Sequence, residues 1–521
     1  MNATTLARNI IRQLIEYGVS DFVLSPGSRN APLSIALHDA ESAGLINLYV
    51  RIDERGAAFF ALGLSKASDN YVAVICTSGT AAANFHPAAL EAYHSANKLL
   101  IITADRPAHL RRTGANQTTL QVGLLAPVLT IDLSSAISLS DILTAGPVHL
   151  NIQFDEPLLP DDRSEWLAGL SPHPREYPSE NSAEVFYPKP HGVLVVGHDR
   201  AGLEPEAISF FAKYLGWPLI AEDPLSFPEA VAHAALFLSD PELRVTLSPE
   251  QIIVIGRATL SRSIYALIKE CRDLVVIDPR ASTIDTERTA SAIFAHLPTG
   301  HTSADPEWLE RWQKVSALAQ ATLNLDWSEQ SALQALTANI PDGAALFVGS
   351  SRPVRDIEAF ALPRSGITTF ANRGLAGIDG NISCAFGIAE KFQRSYAILG
   401  DLTFLHDISA LVNPSTANLT IFVIDNNGGG IFSTLPQSGV DGFEKIFGTP
   451  HNLNLERVVQ GFGVRVTKVK NESDLLHAIT HQTQGLNFVV VEVPDREKNA
   501  AKLKEVTQSL VSALRIGSNL A

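Results

Sequence analysis

Short, nearly unbroken apolar runs, each ending in a small or polar loop, recur along the whole chain. They are Asp21 to Leu24, Tyr71 to Cys76, Leu99 to Ile102, Val193 to Gly197, Ile252 to Gly256, Leu274 to Asp278, Leu346 to Gly349, Tyr396 to Leu399, Thr420 to Ile424 and Phe488 to Val493. Runs of this length, with helical patterns between them, predict parallel strands covered on both faces. The fold class is therefore α/β. A chain of 521 residues is too long for one core, and ~150 residues per domain gives three parallel-sheet domains. Their expected limits are residues 1–165, 190–335 and 340–521. A stretch rich in proline, serine and charge, Pro160 to Pro190, reads as a linker. No sequence repeat relates the three units.

Composition excludes several functions. A net charge of −15 argues against a nucleic-acid binder, and it requires a locally basic pocket for any anionic substrate. Cys76, Cys271 and Cys384 are far apart, which fits a reducing cytoplasm and gives no metal site. Leu6, Ile10, Ile11, Leu14 and Ile15 have helical spacing broken by charge, so the start reads as a packing helix, and no apolar run is long enough to span a membrane. Gly197 to Gly202 lacks the dinucleotide fingerprint, and neither a P-loop nor an H-E-x-x-H occurs. The histidines show no metal spacing, and His86 and His94 flank a predicted helix as packing or surface residues. Cys76 reads as a small buried hydrophobe.

Two segments carry chemistry. Gly400-Asp401 and Asn426-Asn427-Gly428 each end an apolar strand, with a helix over roughly His406 to Val412 and a strand between them. The carboxylate of Asp401, the amide oxygen of Asn426 and the carbonyl of Gly428 would hold Mg²⁺ and leave room for two phosphate oxygens. Gly428, Gly429 and Gly430 allow close approach of backbone to phosphate. Arg29, Arg106, Arg355 and Arg373 all lie in strand-end loops, where guanidinium suits bidentate capture of carboxylates. Four such residues in an acidic chain point to polycarboxylate substrates. Glu54 opens a small-sided helical run suited to close helix packing, and by itself reads as a first-turn acid favoured by the helix dipole.

The joint motifs are Ser25-Pro26-Gly27-Ser28-Arg29-Asn30, Asp53-Glu54-Arg55-Gly56, Gly114-Ala115-Asn116-Gln117, Asn372-Arg373-Gly374 with Gly377-Ile378-Asp379-Gly380, Gly400 to Asp407, and Asn426 to Phe432. With them the chain resembles the thiamine-diphosphate (ThDP) dependent enzymes over essentially its full length. The similarity is greatest to the branch that decarboxylates 2-oxoglutarate and adds the succinyl carbanion equivalent to isochorismate in menaquinone biosynthesis. Leu402, where most of the superfamily has glycine, is typical of that branch.

The resemblance implies pyrimidine-binding, middle and pyrophosphate-binding domains in that order, and ThDP with Mg²⁺ (or Mn²⁺) as cofactors. It implies Glu54 as the catalytic acid, a buried carboxyl bonded to the aminopyrimidine N1′, and Ile378 as the wedge that bends the cofactor. Gly400, Asp401, Thr403, Asn426, Gly428, Gly429, Ile431 and Phe432 would surround the diphosphate. Ser28, Arg29, Arg106, Asn116, Gln117, Ser351, Arg355 and Arg373 would bind the two substrates. It further implies a cytoplasmic homodimer or homotetramer with each site between two subunits. Other 2-oxoacid decarboxylases and acetolactate synthases need fewer carboxylate-binding arginines. A non-catalytic protein of the same fold would be expected to have lost Glu54 or Asp401.

Overall fold

Every run predicted as a strand is one, and the strands form three separate parallel sheets. The computed structural model describes residues 2–517 apart from 141, 144–145, 161, 163, 173–184, 281–284, 286–288, 301–303 and 482. Residues 161, 163 and 173–184 of the expected linker thus lie outside the described residues, while Trp166, Leu167 and Leu170 pack on the N-terminal core.

The N-terminal sheet is built from Asp21–Leu24, Asn47–Val50, Val72–Cys76, Leu99–Asp105, Leu129–Leu133 and Val148–Gln153; counted along the chain, its spatial order is 2-1-3-4-6-5. The C-terminal sheet, Ala345–Val348, Thr368–Ala371, Ser395–Gly400, Leu419–Asp425, Arg465–Val469 and Leu486–Glu492, has the same order. The middle sheet, Gly192–Val196, Leu219–Ala221, Gln251–Ile255, Leu274–Ile277 and Ala290–Phe294, shares the first four positions and ends on its fifth strand, 2-1-3-4-5. In such a sheet the chain reverses direction between strands 1 and 3, and ligands bind beyond the strand ends at that point. The loops there are Ser25 to Asn30 and Thr77 to Thr80 in the first sheet, and Gly349 to Ser351 and Asp401 onward in the last.

The chain divides into two units, Met1–Ser179 with Gly374–Gln393 and Phe404–Asn418, and the remainder. In the first unit, Asp53 caps helix Glu54–Ser68, accepting from the amide of Arg55 at 3.1 Å. This helix lies against helix Asn381–Ala389, and a Cβ on Gly63 would overlap the Cys384 carbonyl. The small side chains after Glu54 therefore serve the helix contact that their spacing suggested.

The helix expected over roughly His406 to Val412 is displaced. A helix runs Asp401–His406, directly off the strand, and a 3-10 turn follows over Ile408–Val412. Asp407 ends the first because its buried carboxylate turns to accept the Ser383 amide at 2.8 Å. Helix Ala3–Glu16 buries Leu6, Ile10, Ile11, Leu14 and Ile15 as their spacing predicts. No helix among the described residues is long and apolar enough to cross a membrane.

Candidate active site

In the first unit, the strand-end loops gather part of the expected substrate set. Arg106 donates through Nη1 to Ser78 Oγ at 2.9 Å and to the Gln117 carbonyl at 2.7 Å, and Gln117 Nε2 donates to the Ser78 carbonyl at 2.9 Å. Arg29 is anchored on the Phe154 carbonyl at 3.2 Å and stands 3.8 Å from Glu156. Partial burial and then the nearby Arg29 charge lower the Arg106 pKa, as expected of two cations waiting for an anion. Ser28 and Asn116 are exposed beside these loops.

Glu54 heads its helix, half-buried rather than buried as the cofactor chemistry requires, and has no hydrogen-bond donor among the described residues. Its carboxylate is close enough to add to burial in raising the Cys76 thiol pKa well above its ordinary value. Cys76 itself is fully buried in its strand.

Ile378 lies in a loop that the sequence gives no reason to find ordered. The buried Glu91, on helix His86–Ser95, accepts the amides of Gly374 and Leu375 at 2.7 Å each and of Ala376 at 3.3 Å. Three backbone donors on one carboxylate make an anion nest filled from within the protein. His86 and His94 lie inside this helix rather than flanking it, and His86 Nε2 meets the Ala126 carbonyl at 3.0 Å, a packing role.

In the second unit, Asp401 and the Asn426 loop come together. Asp401 Oδ2 accepts the Gly428 amide at 2.8 Å, and Oδ1 accepts the Leu402 amide at 2.6 Å. Asn426 is buried, and its Oδ1 has no hydrogen-bond partner. A buried amide oxygen with no donor is costly unless something else satisfies it, which suits it to ligate a cation. The Gly428 carbonyl accepts the Gly430 amide at 2.9 Å, leaving its second lone pair.

The sequence missed His451, whose Nε2 lies 3.3 Å from Asp401 and 3.5 Å from Asp425. The hydrogen bond to Asp401 and both carboxylate charges raise its pKa. One ligand atom from each of Asp401, Asp425 and His451 lies within 4.8 Å of the others; the two carboxylates are donors that suit Mg²⁺ or Mn²⁺, whereas the imidazole is not a usual Mg²⁺ ligand. The glycines also admit a neighbouring segment of the chain. Gly428 has φ of +141°, and a Cβ there would overlap the Gly448 carbonyl, so the close approach is made by the segment leading to His451. Arg496 ties the loop down, donating to the Asn427 carbonyl at 3.0 Å and pairing with Glu444. Thr403 is buried one turn along from Gly400, and Ile431 and Phe432 stand half-buried in the 3-10 turn Gly430–Thr434.

Beneath the loop lies a second carboxylate layer. Glu329 is pushed up to about 8 by complete burial and the Asp356 charge, and Asp356 to about 6 by burial that its pairing with Arg352 only partly offsets.

The remaining substrate set also falls in this unit. Ser351 has φ of +74°, a strained position for a residue bearing a Cβ, and its carbonyl accepts Arg355 Nη1 at 2.7 Å. Arg373 is buried and donates to Thr259 Oγ1 at 2.8 Å, in the loop that follows strand Gln251–Ile255 of the middle sheet. Burial, then the Arg373 and Arg352 charges, lower the Arg355 pKa. Facing these arginines, Glu222 accepts the His198 amide at 3.1 Å and the Leu260 amide at 2.6 Å, and burial holds His198 near 4.

Three models of thiamine pyrophosphate enzymes match the chain: the N-terminal TPP binding domain over residues 4–124, the middle domain over 161–348 and the C-terminal TPP binding domain over 357–493. Curated relatives named 2-succinyl-5-enolpyruvyl-6-hydroxy-3-cyclohexene-1-carboxylate synthase are similar over almost their whole length. The protein from Nocardioides sp. is 39% identical over 98% of both chains, and that from Thermobifida fusca 36% over 98% of this chain and 99% of its own. The benzoylformate decarboxylase structure from Polynucleobacter necessarius superposes with a TM-score of 0.65 at 17% identity, covering 95% of this chain and 99% of its own. A putative thiamin diphosphate-dependent enzyme from Mycobacterium smegmatis gives 0.66 at 19%, with the same coverage. At such identities the two structures speak to fold alone.

Proposed function

The chain belongs to the 2-succinyl-5-enolpyruvyl-6-hydroxy-3-cyclohexene-1-carboxylate synthase family of thiamine pyrophosphate enzymes, and we propose that it decarboxylates 2-oxoglutarate and adds the succinyl unit to isochorismate. The observation that carries this is the pairing of two chemistries. A buried, unpartnered Asn426 Oδ1 beside Asp401 suits a diphosphate-bound cation, and two arginine clusters suit substrates that bring several carboxylates.

Asp401, Asn426 and the Gly428 carbonyl would hold Mg²⁺ or Mn²⁺, while Gly400, Thr403, Gly429, Ile431 and Phe432 would line the diphosphate. The cofactor, when bound, supplies the electron sink for decarboxylation. Glu54 would hold the proton at the cofactor's pyrimidine N1′, and Ile378 would press on the cofactor from the loop that Glu91 tethers. Arg355 and Arg373, with Ser351, would bind substrate carboxylates in the second unit, and Arg29 and Arg106, with Ser28, Asn116 and Gln117, in the first. Guanidinium groups whose pKa is already lowered by a neighbouring cation, as at Arg106 and Arg355, gain most from an arriving carboxylate.

The proposed assembly is a homodimer or homotetramer in which Glu54 of one protomer serves the cation site of another. The proposed location is the cytoplasm, and the proposed domain limits are residues 1–165, 190–335 and 340–521. The test is loss of isochorismate absorbance on adding purified protein. Consumption that requires 2-oxoglutarate, ThDP and Mg²⁺ together supports the proposal. No consumption by protein that binds ThDP refutes the substrate assignment.

A further inference from the structure

The main chain that carries Arg106 is held at each of its polar groups. The Arg106 amide donates to Asp105 Oδ1 at 2.7 Å, and its carbonyl accepts Arg111 Nε at 3.2 Å. Pro107 has no N–H, its carbonyl accepts the Leu110 amide at 2.9 Å, and the Ala108 amide donates to Gln153 Oε1 at 2.9 Å. The guanidinium above this segment is only half engaged. Nη1 is committed to Ser78 and Gln117, while Nε and Nη2 make no hydrogen bond among the described residues.

Arg111 ties these contacts to one anchor. Its Nε also pairs with Asp105 Oδ2 at 2.9 Å, and its fork meets Asp132, Nη1 with Oδ2 at 2.8 Å and Nη2 with Oδ1 at 2.7 Å. Asn151 Nδ2 bridges the same two carboxylates, 3.0 Å from Asp105 and 2.8 Å from Asp132, and Gln153 Nε2 donates to Asp132 at 2.9 Å. The Asp105 side chain is fully buried and that of Arg111 is 10% exposed. The hydrogen bonds to Asp132 raise the Arg111 pKa. Burial opposes charge on Asp132, but the bonds from Arg111 and Asn151 outweigh it and lower the Asp132 pKa, so both partners are charged. Desolvation offsets most of what a buried ion pair gains, so the pair contributes little net stability. What it secures is direction, because a bidentate fork fixes the angle of approach as well as the distance.

We propose that Arg111 is a positioning residue: by locking the Arg106 peptide against Asp105 and Asp132, it aims the Nε–Nη2 edge of Arg106 at a substrate carboxylate. The proposal rests on the reading of Arg106 as a carboxylate-binding residue. Arg111 itself commits its fork to Asp132 and does not present it to a substrate.

The test is steady-state kinetics of the full chain loaded with ThDP and Mg²⁺, with KM measured separately for 2-oxoglutarate and isochorismate. Arg106→Met shows which substrate Arg106 binds, as the one whose KM rises. Arg111→Met should raise the KM of that same substrate by about tenfold or more, as misplacing a substrate-holding group does. The other KM and the ThDP affinity should stay unchanged. In an Arg106→Met background, where no guanidinium remains to be aimed, Arg111→Met should have no further effect on KM. Where Arg106→Met leaves no measurable turnover, Arg106→Lys, which keeps the charge without the fork, takes its place. If Arg111→Met does not fold, Arg111→Lys, which cannot grip Asp132 through two nitrogens, is read in the same way. A KM within about twofold of wild type for the Arg111 variant overturns the proposal, as does an equal rise in both backgrounds. A lowered thermal midpoint with both KM values unmoved marks a purely structural role and overturns it too. Arg106→Met with both KM values unchanged refutes the assignment of Arg106 itself. Wild-type protein that turns over neither substrate refutes the proposed reaction, and the ground for this role falls with it.

Discussion

Glu91 offers the sharpest mutational test of how the first unit holds a candidate site loop. Its carboxylate accepts two amides at 2.7 Å and a third at 3.3 Å, all from Gly374, Leu375 and Ala376. A hydrogen bond to a charged group contributes about 1.5–3 kcal/mol, so the two short ones together hold the loop by roughly 3–6 kcal/mol. The longer third bond adds little. Glu91→Ala removes both acceptor oxygens, and with them all three bonds, and leaves the buried Gly374 amide unpaired. At 1.4 kcal/mol per factor of ten, even the lower figure implies about a hundredfold faster amide exchange. Native-state hydrogen exchange with peptide-level mass readout measures this directly. The expected outcome is a hundredfold or greater loss of protection in the peptide covering residues 374–380, with little change in the strands Val72–Cys76 and Leu99–Asp105. Glu91→Gln, which keeps one acceptor, should fall between the two. Unchanged protection in 374–380, or a loss spread evenly over the unit, would refute the reasoning.

Glu54→Gln should keep the fold and bind ThDP but lose about 10²- to 10⁴-fold in turnover, the usual range for a general acid–base group; unchanged turnover contradicts its role. Asp401→Ala should abolish ThDP retention at micromolar Mg²⁺ in equilibrium dialysis, and binding as tight as wild type would count against the cation site. His149, buried between Thr103 and Thr130, is held near 4 against an ordinary value of 6.5. Below 6.5 the unfolded chain takes up a proton that the folded one refuses, so this site costs stability as pH falls from about 6.5 toward 4, by roughly 3 kcal/mol in full. His149→Gln should flatten that acid limb in chemical denaturation, and an unaltered slope would exclude His149 as its source.

What the sequence made legible follows from locality. Strands such as Val72–Cys76 are apolar throughout because both faces are covered, so they stand out from a short window. The shared strand order of the first and last sheets has no such signal, since no sequence repeat accompanies it. Asp401 and Asn426 were found because each ends a strand in its own recognisable loop. Glu91 was not, because it acts on backbone far along the chain, 283 residues away at Gly374. His451 was missed for the same reason, lying 50 residues from Asp401 with no metal-like spacing around it. The helix start at Asp401 was misplaced because the residue that ends it, Asp407, is turned inward by a partner at Ser383 rather than by any local stop signal.

Coupling of decarboxylation to carbon–carbon bond formation is read directly from stoichiometry. Carbon dioxide released from carboxyl-labelled 2-oxoglutarate would be counted against isochorismate consumed by the ThDP- and Mg²⁺-loaded protein. One CO₂ per isochorismate is expected, with only slow release when isochorismate is withheld. Release at the full rate without isochorismate, or with isochorismate left intact, would contradict it and leave a simple 2-oxoacid decarboxylase in its place.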